Sequence, residues 1–163
     1  MTAIQPGRFT AKFDQPLAVF VIGMRINHFR KFGKWLPVAR SMGPMIRELA
    51  RNPHSGFLGV ETMLRNHRTI VMLQYWRDFD SLEAYARDRD QQHWPAWVAF
   101  NKAVGSDGTV GIFHETYVVQ AGAYETVYGN MVPFGLGKLH GVVPATGSRN
   151  AARSRMKASI SGD

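Results

Sequence analysis

The sequence contains no cysteine among its 163 residues. Disulfides, thiolate metal sites, iron–sulfur clusters and cysteine nucleophiles are therefore excluded, and any chemistry must use histidine, carboxylates, hydroxyl groups or a bound cofactor. Long apolar runs are also missing: none is long enough to span a bilayer, and residues 1–16 contain none of signal-peptide length. We expect a cytoplasmic protein with no membrane partner.

Several sequence motifs for cofactors and nucleophiles are absent as well. No glycine-rich phosphate loop follows a strand, and there is no nucleophile elbow and no HExxH; the GLG run at 135–137 is typical of a turn. Nicotinamide, flavin and ATP chemistry therefore have no support. A site made from two histidines alone lacks a third ligand, so we predict no metal site.

The net charge of +8 lies partly in the C-terminal segment. Residues 138–163 have few large apolar side chains, a composition that predicts a disordered tail. Their basic residues are sparse and lack the interleaved aromatics that stack on bases, so we do not expect nucleic acid as a partner. We divide the chain into an N-terminal extension (1–16), a folded domain (17–137) and the tail (138–163).

The apolar pattern predicts alternating strands and helices in the folded domain. Leu17–Ile26 is nearly continuously apolar and β-branched, as in a buried strand. From residue 34 to 51 the apolar side chains recur at helical spacing, although Gly43-Pro44 is expected to kink or split this helix. The other predicted elements are strands at 57–64, 69–77, 109–120 and 124–131, a capped helix from Asp80 to Arg87, and a helical segment at 95–104.

This order of elements indicates an α+β, ferredoxin-like fold. Strand, helix, strand, strand, helix, strand is the split βαβ arrangement, in which the first strand lies between the third and the fourth, and here an extra C-terminal strand follows. Helices then cover one face of the sheet and leave the other face in need of a partner. We therefore expect a homodimer that forms through the uncovered face.

Aromatic residues concentrate on the elements between residues 74 and 117. Aromatic walls with a few polar groups form small-molecule pockets, but the same residues also form ordinary aromatic cores. Trp76 and its neighbour Tyr75 point to opposite faces of one strand, so only one of them lines a given pocket. Trp94 and Trp97 lie three residues apart, a spacing more typical of a core stripe than of a cofactor site.

His93 and His114 are the candidate catalytic residues. A neutral imidazole within a strand, such as that of His114, can act as a general base, an axial haem ligand or a donor to a substrate oxygen. The alternative is a buried histidine with an ordinary hydrogen-bond partner. His93 either points into a cavity or packs at the surface beside Trp94. If the two converge, one can move protons while the other polarises the substrate.

Polar residues at the end of the first predicted strand supply the remaining candidates. Arg25 and Asn27 are suited to bind a substrate carboxylate or carbonyl. The alternative for Arg25 is a structural cross-strand ion pair with Glu115. The full set of candidate substrate-binding residues is Arg25, Asn27, Trp76, Trp94, Trp97 and Tyr117.

These segments resemble the antibiotic-biosynthesis-monooxygenase-like group of dimeric α/β barrels. Within it, the chain is similar to the monooxygenase-like family that includes the oxygenase of the fumagillin pathway. The resemblance implies a ferredoxin-like protomer, a homodimer, a pocket between sheet and helices, and a role in secondary metabolism. It is carried by GMRIN (23–27), KWLPV (34–38), QYWR (74–77), LEAYAR (82–87), HWPAW (93–97), VGIFHETY (110–117) and NMVPFGLG (130–137).

The resemblance leaves several functions open, because members of the wider group differ in their chemistry. They include cofactor-free oxygenases of aromatic polyketides, haem-degrading oxygenases, haem-dependent aldoxime dehydratases and proteins without a known reaction. Our first hypothesis is a monooxygenase-like enzyme for a small apolar or aromatic molecule, with no cofactor. The alternatives are a haem enzyme with one histidine as axial ligand, and a dimeric ligand-binding module without catalysis.

Overall fold

The computed structural model describes residues 3–88, 94, 95, 98, 100, 105 and 107–158. The chain divides into two compact units, a sheet–helix unit (residues 19–117) and a terminal unit (residues 1–18 and 118–163). In chain order the elements are β1 (Gln5–Ala11), β2 (Leu17–Ile26), α1 (Phe32–Arg51), β3 (Phe57–Asn66), β4 (Thr69–Trp76), α2 (Phe79–Arg87), β5 (Val110–Val119), β6 (Tyr128–Met131), α3 (Leu136–His140), β7 (Val142–Pro144) and α4 (Ala152–Ala158).

The sheet–helix unit has the predicted ferredoxin-like topology. Its four-stranded sheet has the order β3-β4-β2-β5, so the first strand of the motif lies between the third and the fourth. The predicted strands at 57–64 and 69–77 are present as β3 and β4, which pair as an antiparallel hairpin with Val60 opposite Gln74 and Thr62 opposite Met72. The α+β, ferredoxin-like prediction is confirmed.

Helices α1 and α2 differ in detail from their predictions. Helix α1 runs without interruption from Phe32 to Arg51, with Pro37 and Pro44 inside it, so the expected split at Gly43-Pro44 does not occur. Helix α2 begins earlier than predicted. Its cap is Asp78, whose carboxylate accepts a hydrogen bond from the backbone N–H of Ser81 at 2.7 Å and thereby satisfies one free donor of the first turn.

The two faces of the four-stranded sheet have different environments. Successive side chains of a strand alternate between faces, and on β4 the even-numbered residues, including Met72 and Trp76, face α1 and α2. On the opposite, open face, the ring of Phe113 covers Gly23. A Cβ at Gly23 would lie 2.5 Å from this ring and 2.8 Å from the carbonyl oxygen of Ile70, so glycine is required there.

The terminal unit has a sheet of its own. Strand β1 pairs antiparallel with β6 on one side and β7 on the other, with Phe9 opposite both Tyr128 and Pro144. The predicted extra strand at 124–131 is therefore present as β6. Its partner, β1, lies in residues 1–16, for which the sequence pattern predicts only an N-terminal extension. The boundaries of our three-part division remain a prediction.

Residues 138–158 are ordered, contrary to the predicted disordered tail. They form the end of α3, then β7, a short 3-10 turn and α4. The side chain of Arg155 is only 4% exposed and pairs with Glu125 at 2.7 Å. It also donates to the carbonyl oxygens of Arg149 at 3.0 Å and Asn150 at 2.7 Å. Composition reports the number of apolar side chains, whereas strand pairing and a charged hydrogen-bond cluster hold this segment.

None of the described helices has the length and apolar character needed to cross a membrane.

Candidate active site

A cavity of about 220 Å³ lies between the helix-facing side of the four-stranded sheet and helices α1 and α2. Its walls are mostly apolar. Three methionines contribute to them, and their unbranched side chains adapt readily to the shape of a ligand. The described lining residues are Phe20, Ile22, Val38, Ser41, Met42, Met45, Ile46, Leu49, Met72, Gln74, Trp76, Leu82, Tyr85, Ala86, Phe100 and Ile112.

Gln74 and Trp76 place a polar pair in this apolar wall. Trp76 is fully buried and Gln74 is 6% exposed. The indole N–H of Trp76 donates to Gln74 Oε1 at 3.0 Å, which sets the orientation of the amide, because only its oxygen can accept. Among the described residues the Gln74 amide nitrogen has no hydrogen-bond partner, so a donor remains for a ligand oxygen.

Tyr85 forms part of the cavity wall on helix α2. Its ring lies 5.8 Å from that of Trp76, and its hydroxyl donates to Glu48 Oε2 at 3.5 Å. Burial, followed by the negative charge of Glu48, raises the pKa of Tyr85 far above that of a free tyrosine. Tyr85 is therefore a neutral hydroxyl at physiological pH, able both to donate and to accept a hydrogen bond.

Of the predicted catalytic and substrate-binding residues, Trp76 lines the cavity and His114 lies beside it. His114 is exposed, and its ring lies 5.5 Å from that of Phe20, a lining residue. Ile112, two residues earlier on the same face of β5, lines the cavity and is 44% exposed. The cavity therefore reaches the surface along β5, next to His114. The alternative of a buried His114 is wrong.

Arg25 and Asn27 form a polar group of their own at the end of β2. Arg25 Nε donates to Asn27 Oδ1 at 3.2 Å, and the Asn27 amide donates to the carbonyl of Gly108 at 2.9 Å. Within the described part of the chain neither lines the cavity, and Arg25 has no ion pair with Glu115. In place of this alternative pair, Glu115 accepts a hydrogen bond from the hydroxyl of Tyr117.

Four predicted residues remain to be placed. Tyr117 is 51% exposed and lies on the open face of the sheet with Phe113, away from the cavity wall. Trp94 is helical and partly buried, and it is not one of the described lining residues. His93 and Trp97 lie outside the described residues.

The described residues do not provide a metal or haem site. No group of three or more His, Asp or Glu side chains among them is arranged to hold a metal ion, and no described histidine lines the cavity. Its volume of about 220 Å³ also lies below the roughly 300 to 1,000 Å³ of common ligand pockets. The described part of the cavity wall offers no axial histidine ligand for a haem.

Sequence reasoning missed the cavity's polar groups. Gln74 occupies an inward position of β4, between Met72 and Trp76, and a polar residue in a buried alternating row is a detectable signal. Tyr85 and Ser41 offered no comparable signal, because their positions depend on how α1 and α2 pack against the sheet.

Comparison with known proteins identifies the family. The family model for monooxygenase af470-like proteins matches residues 17–136, most of the chain. The chain belongs to the monooxygenase af470-like family. Monooxygenase af470 of Aspergillus fumigatus is 28% identical over 150 residues, which cover 84% of this chain and 52% of that protein. This chain thus spans about half the length of its curated relative.

Solved structures that align with this chain include two proteins of low sequence identity. SnoaB, a cofactor-independent oxygenase from Streptomyces nogalater, has a TM-score of 0.46 and 13% identity, covering 64% of this chain and 94% of that one. A dimeric ferredoxin-like protein from an uncultured marine organism has a TM-score of 0.45 and 14% identity, covering 64% and 96% respectively.

The Gln74–Trp76 pair is expected to stabilise the wall of the af470-like cavity. Gln74→Leu leaves the buried indole N–H without an acceptor, and we expect a loss of about 1–3 kcal/mol in the free energy of unfolding. Adding Trp76→Phe removes the unpaired indole N–H. The free energy of unfolding of the double variant should therefore fall by less than the sum of the losses in the two single variants. Urea denaturation of the four proteins measures this coupling, and strictly additive losses would show that the hydrogen bond contributes nothing.

Proposed function

We propose that this protein is a monooxygenase-like enzyme that oxidises a small apolar or aromatic molecule in the cavity between sheet and helices, without nicotinamide or flavin. The observation that carries the proposal is an apolar cavity with one amide and one neutral phenol, Gln74 and Tyr85, in its walls. Membership in the af470-like family supports the reaction type. In such a cavity the few polar groups orient the ligand, and the apolar wall around them excludes water.

The size of the cavity limits the substrate class. A cavity of about 150 Å³ holds benzene, and drug-sized ligands need roughly 300 Å³ or more. The observed volume of about 220 Å³ suits a substrate with a single ring or with two fused rings. A hydroxyl on such a ring can accept a hydrogen bond from the Gln74 amide while the ring lies against Trp76.

The proposed reaction needs no external reductant. An electron-rich phenol that loses its proton can itself donate electrons to O2. For α-naphthol, one oxygen atom becomes the new carbonyl of the naphthoquinone, the other leaves as water, and the substrate supplies all four electrons and both hydrogens of that water. The protein's share is to bind the ring, keep water away and move protons.

Filling the cavity should lower turnover. Ser41 lines the cavity, and its hydroxyl donates to the carbonyl of Val38 at 2.7 Å, so Ser41→Leu adds bulk to the wall. Overpacking costs about 1–3 kcal/mol, so we expect affinity for α-naphthol to fall about tenfold or more and quinone formation to fall with it. Oxygen uptake and quinone absorbance measure this, with no reductant added and a chelator present.

The matched control is Arg40→Leu, which introduces the same side chain at an exposed neighbouring position. It should behave as the wild type. Equal quinone formation by the Ser41→Leu and wild-type proteins would contradict the location of the site, and a requirement for added nicotinamide or flavin would contradict the chemistry.

His114 is the proposed proton donor to the oxygen that leaves as water, a role that His93 shares if it reaches the site. The support is its place beside Phe20, where the cavity meets the surface. We expect His114→Ala to lower kcat about a hundredfold with little change in KM. His67→Ala is the control, because His67 stacks on Phe29 in the β3–β4 hairpin region and should leave kcat unchanged.

Two results would count against this role. Unchanged kcat in His114→Ala would remove His114 from the mechanism. Stoichiometric binding of added hemin, with a Soret band that His114→Ala abolishes, would instead favour the haem enzyme.

We further propose a homodimer that forms through the open face of the four-stranded sheet. Met63, Phe113 and Tyr117 are apolar or aromatic side chains of that face, and each is exposed. Burial of such a surface favours association. We expect light scattering to give the mass of a dimer for the wild type and of a monomer for Tyr117→Arg.

The control for the dimer is Leu64→Arg, since Leu64 is 75% exposed but lies on the helix-facing side, opposite Ile70. This variant should remain dimeric. A monomeric wild type at micromolar concentration would overturn the proposal.

A further inference from the structure

A second, polar pocket lies on the other side of Tyr85. It has a volume of about 510 Å³ and shares two lining residues, Leu49 and Tyr85, with the apolar cavity. Tyr85 therefore faces an apolar cavity on one side and a charged, water-accessible space on the other. The lining residues of the polar pocket are Glu48, Leu49, Asn52, His54, Ser55, Arg77, Asp78, Asp80, Ser81, Ala84, Tyr85 and Asp88.

Glu48 connects the phenol to this polar pocket. The hydroxyl of Tyr85 donates to Glu48 Oε2 at 3.5 Å, and Glu48 lines the polar pocket but not the apolar cavity. Hydrogen bonds used in catalysis are often long in a ligand-free protein and shorten when substrate binds. The pair thus forms a path from the cavity wall to water.

Tyr85 differs in this respect from the other hydroxyl in the described cavity wall. Ser41 donates to the carbonyl of Val38, and an amide carbonyl is too weak a base to take up a proton. Gln74 and Trp76 are not bases at neutral pH. Among the described lining residues, the hydroxyl of Tyr85 is the one whose hydrogen bond leads to a carboxylate.

We propose that Tyr85 and Glu48 form the route by which a bound phenolic substrate loses its proton. The inference rests on the proposed function. The substrate O–H bond breaks and its proton passes to Tyr85 Oη, while the Tyr85 hydroxyl proton passes to Glu48 Oε2. The bonding electron pair stays on the substrate oxygen, and Glu48 then releases the proton to water in the polar pocket.

This route uses Tyr85 in its neutral form throughout. Burial and the adjacent carboxylates of Glu48 and Asp88 raise the pKa of its phenol, so a free phenolate does not accumulate. A neutral hydroxyl can accept one proton as it gives up another, which is what a relay requires. Tyr85 contacts the substrate and is catalytic, whereas Glu48 acts through Tyr85.

The test separates proton removal from oxidation. Anaerobic α-naphthol is incubated with the protein in deuterated water, and uptake of deuterium into the ring is followed by mass spectrometry. Loss of the hydroxyl proton makes the ring carbons basic enough to take up deuterium. Affinity is measured separately by calorimetry, and thermal melting confirms that each variant folds.

We expect Tyr85→Phe and Glu48→Gln each to slow ring deuteration about a hundredfold. Their affinity for α-naphthol should stay nearly unchanged. The double variant should be no slower than either single variant. Both substitutions keep the shape of the side chain. Asp80→Asn is the control, because Asp80 lines the polar pocket but lies outside the route, and its rate should equal that of the wild type.

The possible failures are distinguishable. Wild-type deuteration rates in Tyr85→Phe or Glu48→Gln would overturn the relay while leaving the proposed function intact. Normal deuteration that depends on both residues, but with no quinone formed when oxygen is admitted, would support the relay and overturn the oxygenase. No binding of α-naphthol by the wild type would overturn both.

Discussion

The burial of Trp76 is the constraint on which the rest of the sheet–helix unit depends. Its side chain is completely enclosed, with the Phe57 ring edge-on at 5.3 Å and the Tyr85 ring at 5.8 Å. A buried tryptophan contributes a large apolar area but also requires an acceptor for its N–H, which Gln74 supplies. One side chain thereby joins β3, β4 and α2 and sets the polarity of the cavity wall.

The direction of Trp76 also determines which face of the sheet carries the site. Because a strand alternates with a period of two, the inward position of residue 76 places Gln74 and Met72 on the same wall. The odd-numbered residues of β5 then belong to the open face, as Phe113 over Gly23 shows. A slip of one residue in β4 would exchange these sets and remove the cavity.

The chemical character of the cavity follows from this packing. Its apolar walls lower the local dielectric constant and thereby strengthen electrostatic interactions beside them. Gln74 offers a donor, and Tyr85 offers a neutral hydroxyl next to a carboxylate. These two groups suit the proposed binding and deprotonation of a phenol, after which the proposed mechanism leaves electron transfer to O2 to the substrate itself.

The fold was largely predictable from local patterns, and the site was predictable only in part. Apolar periodicity located the strands and α1 of the sheet–helix unit, and the order of elements indicated the topology of its sheet. Trp76 was found because alternation along β4 is local. Tyr85 and Glu48 lie 37 positions apart, on different helices, and no local pattern reports how two helices pack.

Two other predictions failed for the same kind of reason. Arg25 and Glu115 carry opposite charges, but Arg25 donates to Asn27 and Glu115 accepts from the hydroxyl of Tyr117. Arg155 looked like one charge in a polar tail, yet its partner Glu125 is 30 residues away. In both cases the outcome depended on which of several partners comes within reach in three dimensions.

The most direct test of the central claim is a crystal structure of the protein with α-naphthol bound under anaerobic conditions. The account predicts density for two fused rings between β4 and helices α1 and α2, packed on Trp76, with the hydroxyl within hydrogen-bond distance of the Gln74 amide or Tyr85 Oη. Density at the Arg25–Asn27 group or on the open face of the sheet, with the cavity empty, would contradict it.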